Sequence, residues 1–93
     1  MDRVTLNIPY DMPDEKWDIV DSIYRSMPGW KGYIQGGCPV WDVDGGHTIS
    51  ASVEPSGLCL EGSSPDADIG EWVNLFISRA SPQLGFVVRD AEE

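Results

Sequence analysis

The stretch that most constrains the fold is residues 47–62, HTISASVEPSGLCLEG. Ile49, Ala51 and Val53 alternate with Ser50, Ser52 and Glu54, which is the period of two of a half-buried strand. Pro55-Ser56-Gly57 reads as a turn: Pro suits its second position, and Gly57 supplies the left-handed conformation that lets the next strand pair back. Leu58-Cys59-Leu60-Glu61 resumes the alternation. One face of this hairpin carries Ile49, Ala51, Val53, Leu58 and Leu60; the other carries Ser50, Ser52, Glu54, Cys59 and Glu61. A sheet built on such a hairpin has one apolar side, and the rest of the chain must cover it.

The flanking segments supply the means. Val4, Leu6, Ile8 and Tyr10 alternate with polar residues, so a first strand is expected, with Pro9 marking an edge position or its exit. From Asp11 to Met27 the period becomes helical: Trp17, Val20, Tyr24 and Met27, with Ile23 beside them, form one stripe. Pro13, Asp14 and Glu15 suit its first turn, and Pro28-Gly29 stops it. The segment 30–37, WKGYIQGG, reads as either a short strand or a loop. Cys38 to Val43 reads as a strand, and Asp44-Gly45-Gly46 as the turn into the hairpin. A second helix is expected from a Ser64 cap and Pro65, with an Ile69, Trp72, Val73, Phe76, Ala80 stripe and a stop at Ser81-Pro82. Phe86 to Arg89 reads as a final strand before an acidic tail. The expectation is a single α+β domain over 1–93, in the order βαβββαβ. It is a two-layer sandwich: a mostly antiparallel sheet of about five strands with two helices on one face.

Sixteen acidic residues face six basic ones, a net charge of −10 over 93 residues. Nucleic acid is an unsuitable partner, because binding it requires Lys and Arg against phosphates. An anionic membrane surface is disfavoured for the same reason. No apolar run approaches the ~20 residues of a membrane helix, and MDRVTLNIPYDM is no signal peptide, so a cytoplasmic location is expected. A basic protein would be attracted, and the same charge would also serve solubility alone. Cys38 and Cys59 are read as free thiols; a disulfide between them would need an oxidising compartment and adjacent strands.

Chemistry-bearing sets are sparse. His47 is the sole histidine, with Asp42 and Asp44 upstream, and a His beside carboxylates can act as a general base. No serine or cysteine stands in a nucleophile setting. Asp42-Val43-Asp44-Gly45 starts like a calcium loop, but Gly46 and Val53 occupy positions where the ion needs oxygen ligands. A Cys38, Asp42, His47, Cys59 zinc set lacks the usual ligand spacing. No cofactor is expected, nor is catalysis. Asp14, Asp18 and Asp21 recur on one side of the first helix as an acidic ridge, away from its apolar stripe. Trp17 and Trp72 belong to the core stripes. Two readings stand for Trp41 and Trp30: with Tyr33 they form a partly exposed aromatic patch beside Asp42 and Asp44, suited to gripping Lys and Arg, or they close the core. The polar mouth of the hairpin adds Ser50, Ser52 and Glu54. The partner-binding candidates are therefore Asp14, Asp18, Asp21, Trp41, Asp42, Asp44 and Glu54.

With its acidic ridges at 11–21 and 42–44, the chain resembles the small acidic immunity proteins of bacterial contact-dependent inhibition and related toxin systems. The likeness lies in size, acidity and α+β pattern. It implies a non-catalytic inhibitor, an immunity protein or antitoxin, that neutralises a basic nuclease-type toxin in a one-to-one complex. The other expectations weighed are a bacterial housekeeping or regulatory domain acting as a homodimer, and a small hydrolase using His47 with Asp42 or Asp44.

Overall fold

The computed structural model describes residues 1–34 and 36–92, and for Asp44 the backbone alone. The elements are β1 (Arg3–Leu6), α1 (Asp14–Ser26), β2 (Trp30–Tyr33), β3 (Pro39–Val43), a 3-10 turn (Asp44–Gly46), β4 (His47–Glu54), β5 (Gly57–Gly62) and α2 (Gly70–Leu84). The strands form one five-stranded sheet in the order β1-β5-β4-β3-β2, with every neighbouring pair antiparallel. The hairpin lies at its centre, with Ala51 opposite Leu60 and Glu54 opposite Gly57 around Pro55-Ser56.

Period two and period 3.6 meet in one core. Leu6, Trp41, Ile49, Leu58 and Leu60 from the sheet pack with Val20, Ile23 and Tyr24 of α1 and Trp72, Val73, Phe76 and Ala80 of α2. Each fully buried Leu, Ile or Phe stabilises by about 1.5–3 kcal/mol. Trp41 is the hub. Its ring meets Tyr24 at 5.3 Å, Trp30 at 5.6 Å and Trp72 at 4.7 Å, and its Nε1 donates to the Tyr24 carbonyl at 2.8 Å. The helices are also tied by polar bonds: Arg79 donates to the Ser26 carbonyl at 2.7 Å and Lys16 to the Leu84 carbonyl at 2.9 Å.

Several local expectations are resolved or revised. WKGY is a strand: Trp30 pairs with Trp41, and the register shifts before Gly32. Gly29 is what allows this approach. A Cβ there would lie 1.9 Å from the Asp42 carbonyl oxygen, and its φ is +87°. Phe86 to Arg89 is not a strand. It is an extended strap along the outer edge of β1, bridged at Leu6–Asp90. Asn7 clasps it: the amide accepts from the Arg89 N–H at 2.8 Å and donates to the Val87 carbonyl at 3.0 Å. The fifth strand is thus β2, and the strap shields an edge that would otherwise template pairing.

Helix α2 begins later than the Ser64 signal suggests. Ser64 instead closes a turn, with its Oγ accepting from Asp66 N–H and its carbonyl from Ala67 N–H. Ala67 and Ile69 enter the core, and Asp68 Oδ1 accepts from Gly70 N–H at 3.0 Å where the helix starts. Pro82 lies within the helix, which ends at Gly85 with φ +83°. In the last turn proline removes one backbone bond, whereas left-handed glycine terminates the helix. Tyr10 lies beyond β1 and is 58% exposed, and Val53 at the far end of β4 is 50% exposed. Cys59 faces the uncovered side of the sheet, yet is buried between Thr5 and Ser52 on the adjacent strands. Both cysteines are free thiols.

Candidate partner-binding surfaces

The nominated residues fall onto two separate surfaces. The first is a groove of about 400 Å³ between the β3–β4 turn and the start of α2. Asp42, His47, Asp68 and Glu71 line it with Pro28, Val43, Trp72 and Leu75. β3 places Asp42 opposite Thr48, on the face that the helices leave open, and Lys31 of β2 approaches Asp42 at 3.5 Å. Sequence reasoning missed Asp68 and Glu71, because they come to the turn only through the packing of α2. Asp68 titrates below the ordinary carboxylate range because it accepts the Gly70 N–H. The side chain of Asp44, also nominated, lies outside the described residues.

The second surface is a mostly apolar groove of about 460 Å³ between α1, the β2–β3 connection and the end of β4. Trp17 and Asp21 line it from α1, Tyr33 and Pro39 from β2 and β3, and Ala51 and Val53 from β4. Tyr33, Ile34 and Val53 are among the exposed large hydrophobic residues, at 45%, 52% and 50%. Asp14 and Asp18 are exposed on α1 next to this groove, and Glu54 follows Val53.

Asp21 departs from the ridge expectation. Its carboxylate accepts from Tyr33 Oη and from Arg25 Nε at 2.9 Å, and the Arg25 guanidinium lies 5.7 Å from the Trp30 ring and 5.9 Å from the Tyr33 ring. The Tyr33 bond, then Arg25, holds Asp21 below its ordinary pKa. Partial burial and the Asp21 bond push the Tyr33 phenol up to about 12. Asp21 is therefore a fastening point, and the free ridge is Asp14 and Asp18. Trp41 is also revised: at 0% exposure, with its indole N–H used internally, it offers nothing to a partner. Of the expected aromatic patch, Tyr33 reaches the surface and Trp30 is half-buried.

The zinc set is dispersed: Cys38 lines the second groove and Cys59 is buried between strands. His47 and Asp42 both border the first groove, but the register places His47 beside Val43 on the helix-covered face and Asp42 beside Thr48 on the open face. Among the described residues no cluster of three or more His, Cys, Asp or Glu can hold a metal ion. No helix among them is long and apolar enough to cross a membrane.

The distribution of positive charge is the clearest electrostatic feature. Arg3 pairs with Glu61 at 3.5 Å, Arg25 with Asp21 and Lys31 with Asp42, while Lys16 and Arg79 bond backbone carbonyls. No ion pair among the described residues involves Asp14, Asp18 or Glu54. Comparison with family models, curated proteins and solved structures returns no match for this chain.

Proposed function

We propose that this protein is a non-catalytic binding module that neutralises a basic protein, in the manner of an immunity protein or antitoxin facing a nuclease-type toxin. One observation carries the reading: five of the six basic side chains are engaged within the chain, in surface ion pairs or on backbone carbonyls, and no ion pair among the described residues involves the exposed Asp14 and Asp18 of α1. Such a field accelerates encounter with a cationic surface and repels nucleic acid. A toxin site built to hold phosphates is cationic, and a carboxylate ridge occupies it by mimicking that charge. The likeness in size and acidity to bacterial immunity proteins points the same way.

The test is association of the wild-type chain with its captured partner at rising salt, alongside Asp14→Lys/Asp18→Lys. The expected outcome is an on-rate that falls with salt and falls further in the variant. Salt-independent association would sink the electrostatic reading.

A further inference from the structure

We infer that the apolar groove between α1 and the end of β4 receives one apolar side chain from a loop of the basic partner. Lysine or arginine residues flanking that side chain would reach Asp14 and Asp18. The inference rests on the basic-partner reading and says where contact is made and with what. The groove has the composition of an interface centre, with Trp17, Tyr33, Pro39 and Val53 as walls. Tyr33, Ile34 and Val53 leave about half their surface in water, which a partner would cover.

The groove is also pre-shaped. Tyr33 is held by Asp21, packs edge-on against Trp30 at 5.4 Å and lies beneath Arg25. An anchor fixed before binding loses little side-chain entropy on association. Asp21 is the charged residue in the groove wall, and Arg25 already offsets it. The groove floor thus favours an apolar group, while the uncompensated charge begins at Asp18 and Asp14. Cationic flanks around an apolar tip match that pattern, and a second copy of a chain with net charge −10 does not.

The experiment titrates the isotope-labelled full chain with two capped pentapeptides by NMR. One has leucine between two pairs of lysines, and the other has serine in place of the leucine. The leucine peptide is expected to bind about tenfold more tightly, because one apolar side chain leaves water. Its shifts should centre on the Trp17 indole, Tyr33 and Val53. Val53→Ser should abolish the difference between the peptides, whereas Asp14→Asn/Asp18→Asn should weaken both. Equal binding of the two peptides, with shifts confined to α1, would overturn the groove and leave the basic-partner reading standing. No binding of either at low salt would remove that reading too. Concentration-dependent shifts at Tyr33 and Val53 without peptide would make the occupant a second copy and overturn the proposal.

Discussion

Tyr33 donates its phenolic hydrogen to Asp21, joining the edge strand β2 to helix α1 at the wall of the apolar groove. The contact turns an acid that looks like surface charge into a fastening, and it sets two titrations with opposite signs.

Asp21 titrates below its ordinary 3.8, so its contribution to stability is present above that range and is lost as pH falls through the depressed value. Tyr33 is raised from 10.0 to about 12, so its contribution is complete below 10.0 and is lost as pH rises through about 12. Thermal melts of the wild type and Tyr33→Phe across pH should show this. The variant should lose about 0.5–1 kcal/mol near neutrality, and its acid-side decline should be smaller and end at higher pH, because Asp21 without the Tyr33 bond is less depressed. Identical acid limbs would mean that the bond does not hold Asp21 in solution.

The ridge can be separated from the fastening by charge reversal. Asp14→Lys/Asp18→Lys should change stability by no more than about 1 kcal/mol, mostly from Asp14 in the first turn of α1, and slow association with a basic partner about tenfold at low ionic strength. Asp21→Lys should instead loosen β2, visible as faster amide exchange at Trp30 and Tyr33. If all three substitutions behave alike, Asp21 belongs to the ridge after all.

Trp41→Ala should cost about 3–5 kcal/mol in urea unfolding, because it empties the aromatic hub and removes the indole bond to the Tyr24 carbonyl. A fully folded variant with unchanged stability but lost partner binding would contradict the buried placement.

Gly29→Ala should cost about 1–3 kcal/mol, since a side chain at φ +87° would meet the Asp42 carbonyl. Calorimetry against Gly36→Ala, which also has positive φ but open space around its Cβ, isolates the clash. Equal losses in the two variants would leave conformational strain as the whole effect.

Asn7→Ala should release the C-terminal strap, at about 1 kcal/mol, with faster exchange of the Arg89 amide and little change at Leu60. Unchanged exchange at Arg89 would show that the backbone bridge alone holds the strap.

The local patterns determined much by themselves. Alternation from Ile49 to Leu60 specified the central hairpin, and the stripes Val20-Tyr24 and Trp72-Phe76 specified which helix faces are buried. Both are readable because burial imposes the element's own period on neighbouring residues. Element ends were less legible. Ser64 and Pro82 carry helix-boundary chemistry, yet core positions for Ala67, Ile69 and Leu84 moved both ends of α2. The uses of polar and aromatic side chains were decided by the tertiary structure alone. Asp14, Asp18 and Asp21 share one helical spacing, but only Asp21 lies within reach of Tyr33. Trp41 and Trp30 sit in similar aromatic surroundings, but β3 carries Trp41 beneath both helices and β2 leaves Trp30 at the margin. These outcomes depend on which distant segments meet, and a one-dimensional pattern records a residue's face without recording what lies across from it.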